Sequence, residues 1–201
     1  VEAKKYPGAV TLIAKNGKII YESEVGWSDS LRLEPYRKDH LFRIASMTKP
    51  IVSVAAMQLI ESGKIKLDDP VGKYISTFNN TDILQSFNPA DTSWTSSPSI
   101  STPTIRQLLT HTSGISYGFT NPKLYGAILA KNRIPDSNTF LPMTIEETMS
   151  KIGDIPLAFE PGSKWLYGLN TDVLGRVVEV ASGKDLDDYI REKISEPLGI
   201  K

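Results

Sequence analysis

Strand-like runs of hydrophobic residues cover positions 9–14 and 18–25, and Asn16-Gly17 lies between them. That dipeptide accepts the positive φ angles of a tight turn, so the chain is predicted to open with an antiparallel hairpin. A different period begins after a polar, charge-rich stretch. Val52, Ala55, Ala56, Leu59 and Ile60 recur at helical spacing behind Ser46 until Gly63 interrupts them, which predicts a helix starting near Ser46. Positions 78–102 are rich in Ser, Thr, Asn, Asp and Pro without a sustained period and are expected to be irregular. A short helix is expected over 104–110. Thr144-Ile145-Glu146-Glu147 fits a capping box opening a helix that ends near Gly153. Val173, Leu174, Val177, Val178 and Ala181 mark a helix closed by Gly183, and Leu186, Tyr189, Ile190 and Ile194 mark another before Pro197. No internal repeat is found. One hairpin and many helices give an α+β expectation with a deficit of strands.

Composition narrows the chemistry. A chain of 201 residues with 40% hydrophobic content can bury a core. Basic and acidic residues balance at 23 each, so no net field points to nucleic acid or an acidic membrane surface, and small molecules are the expected partners. The absence of cysteine excludes disulfides, thiolate zinc sites and a catalytic thiol. The most apolar run, 51–60, is far too short to span a bilayer. No signal peptide opens the sequence, although a mature form would already have lost one. Asn79-Asn80-Thr81 is a formal glycosylation sequon, a pattern frequent by chance.

Ser46-Met47-Thr48-Lys49 is a Ser-x-x-Lys tetrad. At helical spacing the lysine lies one turn from the serine on the same face. An alcohol is a poor nucleophile until a base takes its proton, and a lysine serves if burial or neighbouring positive charge lowers its pKa. The tetrad alone is weak, because about one match is expected by chance in a chain of this length. In the bland alternative Ser46 is an N-cap and Lys49 a solvated first-turn residue.

A rival nucleophile is Ser116 in Gly114-Ile115-Ser116-Tyr117-Gly118, a formal Gly-x-Ser-x-Gly elbow. That motif needs a strand before it, a helix after it and a histidine downstream. Here a helical pattern precedes, a turn at Asn121-Pro122 comes after, and both histidines, His40 and His111, lie upstream. His111 then reads as a structural residue near a helix end, and two isolated histidines make no metal cluster.

The surroundings of the tetrad carry more weight. Phe42-Arg43-Ile44-Ala45-Ser46-Met47-Thr48-Lys49-Pro50 resembles the active-site segment of the serine β-lactamase and penicillin-binding-protein superfamily, in its class C and esterase branch. Similar in order and spacing are Pro7-Gly8-Ala9, Leu108-Leu109-Thr110-His111-Thr112-Ser113-Gly114, Pro161-Gly162-Ser163-Lys164-Trp165, Tyr167 with the later Asp172-Val173-Leu174-Gly175, and Glu196-Pro197-Leu198-Gly199-Ile200. The resemblance covers nearly the whole chain. It implies a β-lactamase/transpeptidase-like α+β fold, an antiparallel sheet flanked by helices beside a helical region, with 1–45 supplying N-terminal strands and lead-in and 46–201 the mainly helical part.

It also implies roles. Ser46 matches the nucleophile, Lys49 its base, and Tyr167 the tyrosine of the family's Tyr-x-Asn motif, which relays the serine proton. The sequence departs from that motif: Leu169 stands where penicillin-recognising members carry asparagine, and Asn170 is one place late. Leu169 and Asn170 are therefore candidate substrate-contacting positions, and the departure resembles the esterase branch. The family's third motif, a Lys-Thr-Gly or its variants on a later strand that also donates an oxyanion-hole amide, does not occur in these residues. The expectation is a serine hydrolase acting through an acyl-enzyme on a small ester, with no cofactor and no metal. β-Lactam or D-alanyl-D-alanine peptide turnover is the alternative, as is a catalytically silent sensor or scaffold. These 201 residues are expected to be part of a larger catalytic domain whose C-terminal remainder, in the same or a second chain, is the main partner.

Overall fold

Asn16 and Gly17 take φ values of 51° and 72°, the left-handed pair a two-residue hairpin turn requires, and they join β1 (Gly8–Lys15) to β2 (Lys18–Gly26). The strands pair antiparallel from Gly8 opposite Gly26 to Lys15 opposite Lys18, with a bulge at Ile13/Ala14. This is the hairpin expected from the sequence. It belongs to a computed structural model that describes residues 6–29, 31, 33–136 and 142–200. The chain forms two compact units, Val1–Ala45 and Ser46–Lys201.

The second unit is built around helices. A 3₁₀ turn at Ala45–Met47 leads into α1 (Thr48–Glu61), where Pro50 is tolerated because the first turn has no intrahelical acceptor for its missing N–H. The predicted helix start is thus correct to within two residues. α2 (Ile105–Leu109) and α4 (Ile145–Gly153) both open with complete capping boxes, Thr104 with Gln107 and Thr144 with Glu147. Each box satisfies two of the N–H groups a helix start leaves unpaired. α3 (Ala127–Lys131) comes after a π-helical turn, and α6 (Leu186–Ile190) runs on into another at Arg191–Ser195.

At the centre stands α5 (Asn170–Ser182), ended by Gly183 in the left-handed region. Val173, Leu174, Val177 and Val178 are almost completely buried, and α5 packs against α1, α2, α4 and α6. The facing side chains are Val52, Ala55, Ala56 and Leu59 of α1 and Ile105 and Leu108 of α2, all within one core. With its apolar face anchored in this way, the first turn of α5 holds Asn170 and Asp172 in fixed places close to α1 and α2.

One expectation fails. Within 78–102 lies a second antiparallel hairpin, β3 (Asp82–Asn88) paired with β4 (Ser93–Pro98). Its polar composition hid it, since β4 is mostly serine and threonine and polar side chains link the strands: Ser86 bonds Thr95 at 2.6 Å and Gln85 bonds Ser97 at 2.9 Å. Phe87 opposite Trp94 supplies an aromatic cross-strand pair. Asn88 and Asp91 cap the connecting turn by accepting from the amides of Ala90 and Ser93. The strand deficit nevertheless remains, for the described residues form two separate two-stranded sheets.

Candidate active site

Ser46 sits on the 3₁₀ turn immediately before α1, and Ala45 ahead of it has φ 47°. A left-handed alanine costs about 1–3 kcal/mol, and such strain clusters at functional sites. The N-cap position of α1 is Met47, without a side-chain cap, so Ser46 is not spent on the helix. Its exposed hydroxyl instead meets the phenol of Tyr167, with Oγ and Oη 2.7 Å apart. Lys49, one turn later, donates from Nζ to Ser46 Oγ at 3.4 Å. Residues 121 positions apart are brought into hydrogen-bond contact.

Tyr167 is delivered by the segment before α5. The Leu166 amide donates to the His111 carbonyl at 2.9 Å and Gly162 to the Thr112 carbonyl at 2.7 Å, so this segment runs beside 111–114. Next to Tyr167, Gly168 is fully packed: a Cβ there would lie 2.0 Å from the Ile115 carbonyl oxygen. Only glycine lets the two backbones approach so closely.

A fourth residue completes the cluster, and sequence reasoning missed it. Lys49 Nζ donates to Tyr117 Oη at 3.1 Å, closer than its contact with Ser46. The ammonium also lies 4.7 Å from the centroid of the Tyr167 ring and 5.4 Å from that of Tyr117. Tyr117 is buried, stacked on Phe119 at 4.8 Å and tilted against Tyr167 at 5.2 Å. It lies inside the Gly-x-Ser-x-Gly pattern. The middle serine of that pattern, Ser116, is itself buried, its hydroxyl donating to the Tyr117 carbonyl at 2.9 Å and paired with Thr120 at 2.8 Å.

The charges oppose the simplest base assignment. Burial pulls the Lys49 pKa down, but its interactions with Tyr167 and Tyr117 outweigh that and leave it raised, so the ammonium is favoured. The Tyr167 phenol moves the other way. Its pKa is lowered, first by Lys49 and then by Ser46, against a smaller desolvation effect. Two phenol oxygens beside the cation thus outweigh its desolvation. Of the two groups beside the Ser46 hydroxyl, the phenol is thus the one shifted toward its deprotonated form and the lysine toward its protonated one.

Leu169 and Asn170 are placed differently. Leu169 is 3% exposed within the core and Asn170 is wholly buried. Asn170 Oδ1 accepts from the Ser113 hydroxyl, and its Nδ2 faces His111 Nδ1 at 3.0 Å. The amide can only donate there, which makes Nδ1 an acceptor and His111 a neutral ring protonated on Nε2. Burial, and after it the Lys49 charge, lowers the His111 pKa in agreement with this. The His111 ring packs 5.0 Å from that of Tyr167. Asn170 therefore braces the wall behind Tyr167, and neither residue presents a polar group to the Ser46 hydroxyl.

A Ser-x-x-Lys pair at a helix start, closed by a distant tyrosine, is the geometry the sequence resemblance implied, and the family model for Beta-lactamase matches residues 1–201. The chain belongs to the Beta-lactamase family. It is 36% identical over 200 residues to Esterase EstB of Burkholderia gladioli, covering 98% of this chain and 47% of that protein. It is 32% identical over 206 residues to the ML-236A carboxylate methylbutanoyltransferase of Penicillium citrinum, covering all of this chain and 47% of the relative. Among solved structures, EstCE1, described as a hydrolase with promiscuous acyltransferase activity, superposes with a TM-score of 0.82 at 31% identity, over 97% of this chain and 47% of that one. The β-lactamase/transpeptidase-like fold is thereby shown, and the chain spans about half the length of the curated relatives it matches.

Among the described residues, no three His, Cys, Asp or Glu side chains are grouped to hold a metal ion. No helix among them is long and apolar enough to cross a membrane.

Proposed function

We propose that this family member transfers acyl groups through a covalent ester on Ser46, acting as a serine hydrolase on small carboxylic esters. The observation that carries the reading is the 2.7 Å contact of Ser46 Oγ with a Tyr167 phenol whose pKa is lowered by Lys49. Tyr167 takes the serine proton as Oγ attacks the ester carbonyl, and Lys49 holds the negative charge left on the phenol. The tetrahedral intermediate collapses when Tyr167 returns that proton to the leaving alcohol, leaving acyl-Ser46. Water, or a second alcohol, then attacks the acyl carbon by the reverse sequence and frees the serine.

The ester preference is part of the proposal, as is completion of the domain by further polypeptide. Esterase and acyltransferase relatives support the first. The half-length match supports the second.

The direct test is Ser46→Ala in the full-length protein, which should lower ester turnover at least about 10³-fold because the covalent route disappears. A fluorophosphonate probe should label Ser46 by mass spectrometry. Undiminished turnover in the variant, or labelling at Ser116 instead, would overturn the assignment. A chain that takes no label at all would be a silent relative.

A further inference from the structure

The rings packed around Tyr167 fall into two groups. Tyr117 is buried and His111 half-buried, with centroids 5.2 and 5.0 Å from that of Tyr167. Trp165 and Phe119 lie against the same phenol ring but are 67% and 53% exposed, Trp165 nearly parallel to it at 6.3 Å and Phe119 edge-on at 6.4 Å. Single exposed apolar side chains are ordinary. These two are placed together: among the described residues of 46–201 no other aromatic side chain is exposed, and both border the phenol that meets Ser46. Both also stand on braced backbone. The Leu166 amide next to Trp165 donates to the His111 carbonyl at 2.9 Å. Phe119 occupies a 3₁₀ turn, Gly118–Thr120, that Thr120 closes by donating to the Tyr117 carbonyl at 2.7 Å and by pairing with the buried Ser116 hydroxyl at 2.8 Å. A Cβ on Gly118 would stand 2.4 Å from an Asp136 carboxylate oxygen and 2.9 Å from Gly126 Cα, so that turn has no room to shift inward. The Gly-x-Ser-x-Gly segment, empty as a nucleophile elbow, thus serves to fix Phe119.

The route of the proton says which part of an ester comes to these rings. Tyr167 hands its phenol proton to the leaving oxygen as the acyl C–O bond breaks, so that oxygen must come within hydrogen-bond reach of Oη. Its carbon substituent then lies beside the rings that border the phenol. We propose that Trp165 and Phe119 form the alcohol subsite, receiving an aryl or other bulky apolar alcohol against their exposed faces. The inference rests on the proposed roles of Ser46 and Tyr167. The same subsite serves both half-reactions, because deacylation by an alcohol is acylation run backwards: the group leaves from it in the first and enters through it in the second. Aromatic rings held in advance supply contact area to such a group at little cost in ordering. The acyl chain departs from the carbonyl on its other side, and the two rings do not select it.

The experiment holds the acyl group constant and varies the alcohol, comparing 1-naphthyl acetate with ethyl acetate in the full-length protein and its Trp165→Ala, Trp165→Phe and Phe119→Ala variants. The quantity read is the ratio of the two kcat/KM values, from which any effect common to both esters cancels. Trp165→Ala and Phe119→Ala should each lower that ratio about 2- to 10-fold, the worth of one aromatic contact, and Trp165→Phe should restore most of the Trp165→Ala loss. With benzyl alcohol added, the division of the acetyl-enzyme between benzyl acetate and acetate should shift toward acetate by a similar factor in both alanine variants. A ratio unmoved in both alanine variants would overturn the proposal, and is the result to be expected if further polypeptide covers the two rings. Equal losses on the two esters would overturn it too, since they would mean only that Tyr167 had been displaced, as would an unchanged division between benzyl alcohol and water. Both side chains are exposed, so Phe119→Ala decides the matter even if Trp165→Ala fails to fold. Fluorophosphonate labelling of Ser46 in the unsubstituted protein separates the two readings: its absence sinks the parent assignment, whereas labelling alongside an unmoved ratio sinks only the alcohol subsite.

Discussion

A lysine ammonium beside two phenol oxygens and a serine hydroxyl makes Tyr167 the group whose titration should govern turnover. On the proposed mechanism its lowered pKa is expected to put the ascending limb of kcat/KM below the ordinary phenol value of about 10. The base must be deprotonated to act, so removing the cation that favours the phenolate raises its pKa. Lys49→Ala is therefore expected to shift that limb to higher pH, besides costing about 10²- to 10⁴-fold in kcat as Tyr167→Phe should. The two losses should not multiply, because the residues act as one unit, and a double variant whose loss equals the product of the single losses would count against the coupling. Leu169 carries a second expectation at this scale. With leucine buried there and the Asn170 amide engaged by Ser113 and His111, neither side chain supplies a free amide to a β-lactam or peptide carbonyl. Leaving such a group unpaired costs about 1–3 kcal/mol, so a short-chain aryl ester should be turned over with a much higher kcat/KM than a cephalosporin. Equal values on the two substrates would refute the preference.

Helix α5 and the segment before it form the element on which the site depends. Its buried face, Val173, Leu174, Val177 and Val178, fixes it in the core, and its first residue then carries the Asn170 amide to His111, whose ring packs on Tyr167. Gly168 holds the preceding segment against Ile115. A Cβ 2.0 Å from a carbonyl oxygen cannot be absorbed by side-chain rotation, so the backbone must move. Gly168→Ala should destabilise the fold by about 1–3 kcal/mol, as overpacking does, and should slow ester turnover by shifting Tyr167 from Ser46. Thermal unfolding together with kcat measures both effects. A variant with unchanged midpoint and rate would show that this approach has slack.

For the molecule as a whole, the outstanding feature is apolar surface. The β1–β2 hairpin exposes Leu12, Ile13, Ile19, Ile20, Tyr21 and Val25, and a two-stranded hairpin by itself is marginal in water. In the helical unit Val54 and Met57 of α1 are exposed on one face. Surfaces of this kind associate or await a partner. Residues 1–201 expressed alone are therefore expected to self-associate and to show no sustained ester turnover, in contrast to the full-length protein. A monomeric fragment that unfolds cooperatively and turns over many esters at Ser46 would disprove this.

Local rules were legible in the residues themselves. Asn16-Gly17 dictated the first turn, Thr144 with Glu147 marked a helix start through their own side chains, and Ser46 with Lys49 share a helical turn by spacing alone. Tyr167 entered through a family resemblance, since nothing in its immediate neighbours distinguishes a proton carrier from a core tyrosine. The β3–β4 hairpin was hidden because β4 is mostly serine and threonine, which carry no hydrophobic period. Tertiary structure alone decided that Tyr117 meets Lys49 across 68 positions, that Asn170 turns inward to His111, and that the Lys49 pKa is pushed up rather than down. Hydrogen-bond partners and desolvation come from residues distant in the chain, and they exist only once α5 has packed against α1.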